Sequence, residues 1–356
     1  MSLTKDKREA AKRYLLEQIA NNDRNPVKKT AEAFEIDKAS VYAYIRNFVK
    51  DGILEKTDGK YVLIPIVNKS THFDLDLIGR DERDESRICE EAMFPYIDSL
   101  PLNIVGLWKH ICTEMVNNVL EHSNANNLDI QVIRDYLNTT ILIKDDGVGI
   151  FNKIKDHFGY TSLDDAIEEL FKGKLTTASD RHSGEGIFFS SRMADVFAAI
   201  SSGKQYLYSN LDSPITELTA HVDKGTIIFA RISNNCNRDT NSVFKEYEEI
   251  DENNNAELDA PASGYSKTTI PMKYLFDQFP VSRSQAKRLS RRLEIFSEVK
   301  IDFKGIDSIG QGFADELFRV YQNSHPDVKI IPINCNENVE RMLRHVEIRG
   351  KELAGE

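Results

Sequence analysis

Glu114–Ser123 reads EMVNNVLEHS, and it sets a carboxylate, a carboxamide and an imidazole, those of Glu114, Asn118 and His122, four residues apart in an otherwise apolar run. A step of four drifts by only about 40° around an α-helix, so the three side chains share one face. Ile104, Ile111, Met115 and Val119 line a neighbouring face, predicted to pack on a sheet. Alone, such a polar stripe is the solvated side of an ordinary helix.

Two glycine-rich stretches downstream change its meaning. DDGVGI, Asp145–Ile150, leaves a predicted strand as a carboxylate followed by two glycines one residue apart. Glycines so placed allow a backbone path that a β-carbon would block, and let a ligand lie against the main chain. RHSGEGIFFSS then places Gly184 and Gly186 where a helix begins. Free amides and the positive end of the helix dipole face outward together at such a start.

Taken in order, these residues resemble the GHKL superfamily of ATP-binding domains, named for gyrase, the ninety-kilodalton heat-shock chaperones, histidine kinases and mismatch-repair ATPases. The Glu-x-x-x-Asn-x-x-x-His stripe resembles the family's N box, DDGVGI its first glycine box and SGEGI its second. Gly225-Thr226, entering GTIIFARI, matches the family's late Gly-Thr. The resemblance covers about residues 71–233 and implies ATP and Mg2+ as cofactors. It implies Asn118 as the metal ligand, a carboxamide oxygen suiting a hard ion, and Glu114 as the base that orients or deprotonates an attacking water or hydroxyl. Asp145 would accept from the adenine amino group, Gly147 and Gly149 would admit the base, Gly184 and Gly186 would cradle phosphates, and Thr226 would support the adenine end. Residues 151–183 would be the lid, with Lys172, Lys174, Arg181 and His182 as candidate phosphate contacts. Ser183 is counted with the cofactor-binding residues. Glu185 departs from expectation, because a carboxylate inside a phosphate loop repels a triphosphate.

Upstream, DKREAAKRYLLEQIANN, NPVKKTAEAF and DKASVYAYIRNFVKDG predict three helices, with Pro26 in a first turn, Asp37 as an N-cap and Gly52 as a stop. ILEKTDGKYVLI is a hairpin signal around Asp58-Gly59. This order resembles a winged helix-turn-helix, which implies reading of double-stranded DNA by the third helix. Val41, Ile45 and Phe48 make its buried stripe, leaving Lys38, Ser40, Tyr42, Arg46 and Lys50 as the candidate DNA contacts. Residues 1–64 hold 13 Lys and Arg against 10 Asp and Glu, a local +3 in a chain of net charge −11. A basic footprint is thus concealed within an acidic protein.

Downstream, the acidic, Asn- and Ser-rich stretch 237–268 reads as a linker or mobile loop. Beyond it VKIDFKGIDSIGQGFADELF, a strand, a short loop and a helix, resembles the STAS-like domains, including the antagonists that partner GHKL serine kinases. Where those antagonists carry the phosphorylated serine, this chain has Ile309, so Ser308 is only a displaced candidate and a partner-binding role is the plainer implication.

The expected fold is α+β and multidomain: a winged helix-turn-helix over 1–66, a GHKL-type α/β sandwich with a mixed sheet covered by helices on one face over 67–236, the linker over 237–268, and a small STAS-like α/β domain over 269–356. Composition is globular, 40% hydrophobic and 29% charged, with no apolar run near the roughly 18 residues of a membrane span. The charged opening MSLTKDKREAAK is neither a signal nor a transit peptide, which predicts a cytoplasmic protein with no membrane partner. Four scattered cysteines without a Cys-x-x-Cys pair predict free thiols. The favoured function is an ATP-responsive, DNA-binding transcriptional regulator, expected as a homodimer. The alternatives are a slow ATPase or protein serine kinase using Glu114, and a scaffold with a structural nucleotide site.

Overall fold

Local signals at the N-terminus act where the sequence puts them. The Thr4 hydroxyl accepts from the Lys7 N–H at the start of α1, Lys5–Ala20. Pro26 opens α2, Pro26–Phe34, where its missing N–H costs nothing. The Asp37 carboxylate accepts from the Ser40 N–H at 2.7 Å and starts α3, Lys38–Lys50. Asp58 and Gly59, with φ of 50° and 81°, turn β1, Leu54–Thr57, into β2, Lys60–Leu63, the positive-φ turn a two-residue hairpin demands. In this computed structural model the described residues are 4–77, 84–174, 185–211, 220, 222–247, 266–276 and 279–354.

The central unit follows as β3 (Val67–Asp74), α4 (Glu85–Ala92), α5 (Phe94–Ile97), α6 (Leu102–Asn118), β4 (Asn127–Arg134), β5 (Asn138–Asp145), α7 (Ile150–Phe158), α8 (Leu163–Lys172), α9 (Gly186–Met193), β6 (Val196–Ser201), β7 (Lys204–Ser209), β8 (Thr226–Ser233) and α10 (Thr240–Tyr247). Six strands form one sheet in the order β3-β4-β5-β8-β6-β7. Every ladder between them is antiparallel, which corrects the expected mixed sheet. Alternation along β4, β5 and β8 turns Leu128, Ile130, Val132, Ile141, Ile143, Ile228, Ala230 and Ile232 inward. They share a core with Ile104, Trp108, Ile111 and Met115 of α6 and Phe188 and Phe189 of α9.

Several elements differ from the sequence reading. Pro101 occupies the cap position of α6 without a side-chain cap, and the Ser99 hydroxyl accepts from Arg134. The last turn of the long helix widens into a π turn, Val119–Ser123, closed by Asn124 at φ 53°. VFAAIS, buried at every residue, is strand β6; a continuous apolar run has no period to distinguish strand from helix. Residues 240–247 of the acidic stretch read as a linker form α10, with Val243 and Tyr247 buried.

The C-terminal unit is built of β9 (Lys267–Pro271), α11 (Arg283–Leu289), β10 (Glu298–Asp302), α12 (Gln311–Asp315) running through a π segment into α13 (Gln322–Ser324), β11 (Lys329–Ile333) and α14 (Glu337–Ala354). Its three strands are parallel in the order β11-β10-β9, each crossover made by a helical connection. Ser282 and Gln285 form a capping box at α11. Its core is continuous with that of the central unit. The N-terminal helices keep a core of their own, which takes in Leu137 from the β4–β5 turn. Phe48 of α3 meets Tyr136 at 6.0 Å between ring centroids, and the Arg13 guanidinium donates to the Ser233 hydroxyl at 3.1 Å.

Candidate functional site

The register of the central sheet brings the first predicted residues together. Asp145, last in β5, stands opposite Thr226, first in β8. Asp145 is buried, and its Oδ1 accepts from the Gly147 N–H at 2.8 Å. Burial pushes its carboxyl up to about 6, against the lowering effect of the Gly147 and Thr226 hydrogen bonds. The buried Thr226 hydroxyl accepts from the Ile150 N–H at 3.1 Å, fixing the far end of the glycine loop. The next carboxylate does other work. Asp146 accepts from the backbone N–H groups of Asn126 and Asn127 at 2.9 Å and from the Asn127 side chain at 2.8 Å, and so ties the loop to the start of β4.

The glycines sit where nothing larger fits. A β-carbon on Gly147 would stand 2.2 Å from the Ser123 carbonyl oxygen, and one on Gly149, at φ 85°, would stand 2.5 Å from the Ser201 hydroxyl. At Gly225, φ 83°, it would stand 2.0 Å from the Asp145 carbonyl oxygen. The Ser123 carbonyl accepts from the Val148 N–H at 2.8 Å, so the π turn packs directly on the first glycine loop. Lys153 of α7 donates to the His122 carbonyl at 2.7 Å and holds the same turn from the other side.

Glu114 reaches the second glycine stretch. A β-carbon on Gly186, the first residue of α9, would stand 2.2 Å from Glu114 Oε2. Asn118, half-buried like Glu114, lies one turn further along the same face of α6. Glu185, half-buried, precedes α9. Arg181, His182, Ser183 and Gly184 lie outside the described residues. Lys172 and Lys174 turn to the C-terminal unit: Lys172 is buried against Glu169, and the Lys174 ammonium lies over the Phe296 ring, 5.4 Å from its centroid. On α3, Lys38, Tyr42, Arg46 and Lys50 are exposed, while half-buried Ser40 donates its hydroxyl to Asp37 at 3.0 Å.

The site therefore unites the polar face of α6, the loop after β5, the start of α9 and the β8 entry. Ser123, Lys153, Ser201 and Gly225 belong to it as supports. Only Gly225 carried a signal in the sequence, through its neighbour Thr226; the others are ordinary residues whose role comes from the approach of distant segments. Among the described residues no group of three His, Cys, Asp or Glu side chains is set to hold a metal ion. A separate open cavity of about 620 Å³ at the end of α6 is lined by residues including Asp76, Glu85, Asn117, Glu121, Asn124 and Asn126. It contains none of the predicted site residues, and its three carboxylates repel phosphate.

No helix among the described residues is long and apolar enough to cross a membrane. No curated protein matches the chain. Residues 285–340 match the STAS-like domain of unknown function DUF4325, a span that runs from α11 into α14 and takes in the β10 and β11 strands of the parallel sheet.

Proposed function

We propose that this protein is an ATP-binding transcriptional regulator, in which a GHKL-type site on the central sheet alters duplex DNA binding by a winged N-terminal unit and partner binding by the STAS-like unit. The observation that carries the reading is the convergence of Glu114 on Gly186 and of the π turn on Gly147, with buried Asp145 between β5 and β8. The residues suit the ligand: an ionised Asp145 accepts hydrogen bonds, as recognition of an adenine amino group requires, and the glycines let the π turn, Glu114 and the end of β5 close around it without a β-carbon in the way.

In this reading Asn118 holds the magnesium ion, whose usual mode keeps several waters and needs few protein ligands. Bound Mg-ATP supplies the charge and binding energy that distinguish two arrangements of the protein. Asp145 and Thr226 orient the base, and Gly147 and Gly149 admit it. The contacts of Phe48 with Tyr136 and of Arg13 with Ser233 join the N-terminal unit to the far end of the β5–β8 pair, so coupling between the site and α3 runs along β5, which ends at Asp145. Lys38, Ser40, Tyr42, Arg46 and Lys50 then read the duplex, with a homodimer spanning two half-sites.

Fluorescence anisotropy of a selected duplex, titrated with and without Mg-ATP, tests the proposal. A nucleotide-dependent affinity supports it, and identical curves remove the coupling. The half-buried Glu114 carboxylate beside Gly186 favours a second reading, a slow ATPase or protein serine kinase with Glu114 as base. That reading requires turnover or phosphotransfer that disappears in Glu114→Gln.

A further inference from the structure

Arg192 lies in the last turn of the helix that begins with Gly186, and it is buried with no carboxylate partner among the described residues. One guanidinium nitrogen donates to the Phe171 carbonyl at 3.4 Å and to the Thr269 carbonyl at 3.1 Å, while another donates to the Ser191 hydroxyl at 3.0 Å. Its guanidinium carbon lies 3.7 Å from the Tyr208 ring centroid and 4.4 Å from that of Phe188. Among the described residues Nε meets no acceptor. Burying a cation in this way is costly, and packing alone is served as well by an apolar side chain of the same length. What the planar fork adds is geometry: it joins α8, α9 and β7 of the central unit to β9 of the C-terminal unit.

The same junction is held by a row of charges along α8. Arg291 pairs with Asp165 at 2.9 Å, Arg288 with Glu168 at 2.7 Å, and Arg292 with Glu169 at 2.9 Å. Lys172 pairs with Glu169 at 2.6 Å and donates to the Arg291 carbonyl at 2.9 Å, while the Thr268 hydroxyl donates to the Lys172 carbonyl at 2.7 Å. The rings of Phe171 and Tyr274 stack 5.7 Å apart. The C-terminal unit thus grips the stretch of chain that lies between the two glycine loops, and Arg192 carries that grip into α9.

We propose that Arg192 is a positioning residue through which the C-terminal unit, seated on α8, holds α9 and its Gly186 against Glu114, so that this unit sets nucleotide affinity in cis. The proposal rests on the nucleotide reading above for its ligand, and on the contacts of Arg192 and α8 for its mechanics. Arg192 contacts no residue assigned to the nucleotide; it acts through the placement of α9.

The test uses the full chain and a fluorescent ATP analogue with magnesium, together with amide exchange in the absence of nucleotide. Arg192→Met preserves the packing volume, and the expected result is exchange at least tenfold faster over 186–193 with affinity about tenfold weaker. Arg192→Lys, which keeps charge but loses the fork, is expected to restore little of either. Arg291→Glu, at a half-exposed position, is expected to loosen 163–172 and 186–193 together and weaken affinity about fivefold, with Asp165→Arg in the same chain recovering both. If wild type binds and these variants bind equally well with unaltered exchange, the clamp is overturned and the nucleotide reading stands. If wild type binds no nucleotide, the control of affinity is overturned along with that reading. The exchange data still decide the mechanics: joint loosening in Arg291→Glu supports the clamp, and loosening confined to 163–172 overturns it.

Discussion

Glu114 and Gly186 stand so close that a β-carbon on the glycine would come within 2.2 Å of the Glu114 Oε2 atom. They are far apart in the chain, one on the α6 helix and one at the first turn of α9, and their approach closes the candidate site. Glu114→Gln keeps the shape and removes the charge, so stability is expected to change by less than about 1 kcal/mol. Gly186→Ala forces the flexible carboxylate aside and is expected to cost about 1–3 kcal/mol and weaken binding of a fluorescent ATP analogue. Denaturant unfolding monitored by Trp108, the single tryptophan and wholly buried in α6, measures the first; titration measures the second.

Asp145 makes the site sensitive to acid. Its carboxyl, raised by burial to about 6, is ionised at neutral pH and takes up a proton below that value. If only the ionised form accepts from the ligand, affinity is expected to fall about tenfold between pH 7 and pH 5. Asp145→Asn has no proton to gain there and is expected to show no such loss from this group. Stability runs in the opposite sense. The folded pKa lies above the ordinary 3.8, so the contribution favours the fold below that value and is lost as pH rises through about 6. The full difference between acid and neutral pH is about 3 kcal/mol, of which about 1.3 kcal/mol falls between pH 5 and pH 7, and unfolding curves at those two pH values for wild type and Asp145→Asn check it.

Gly225 is expected to tolerate no side chain. Alanine there combines a φ of 83° with a β-carbon 2.0 Å from the Asp145 carbonyl oxygen, a loss of about 2–5 kcal/mol when both effects act. Alanine at Gly59, also at positive φ but with open space around it, should cost only about 1–2 kcal/mol. The pair separates backbone strain from collision by chemical denaturation alone.

Glu168 and Glu169 are expected to behave differently when neutralised. Burial pushes Glu168 up to about 7 in spite of Arg288 and Lys172, while Asp165 adds to the rise, so at neutral pH the group is close to its midpoint. The folded value lies above the ordinary 4.5, so ionisation disfavours the fold as pH rises toward 7, and Glu168→Gln is expected to raise stability at pH 7, by up to about 3 kcal/mol. Glu169 is buried between Lys172 and Arg292, and Glu169→Gln strands buried Lys172, at a cost of about 3–5 kcal/mol. Thermal and denaturant unfolding of the two variants distinguish them.

Leu137 is the residue of the central unit that enters the N-terminal core. Leu137→Ser is expected to leave nucleotide affinity unchanged while abolishing any nucleotide effect on duplex binding. The two titrations run on one protein preparation, and a retained nucleotide effect would rule out this contact as the route.

Much was legible because it is encoded locally. The Asp37 cap, Pro26 at a helix start, the Asp58-Gly59 turn and the inward positions of α3 and α6 each depend on residues within a turn of one another. The grouping of Glu114 and Asn118 is likewise a property of one helix. The sequence by itself therefore determined which segments form most of the elements and which side chains share a face, since helical and strand periods act over a few residues.

Only the tertiary structure decided what those faces meet. That Asp145 is buried while Asp146 braces β4, that Ser123 and Ser201 confine the glycines, and that Lys172 and Lys174 face the C-terminal unit follow from contacts between distant segments. The all-antiparallel central sheet and the clamp of Arg288, Arg291 and Arg292 on α8 have the same origin. Local periodicity fixes the direction of a side chain from its own backbone, and long-range packing alone supplies its neighbour.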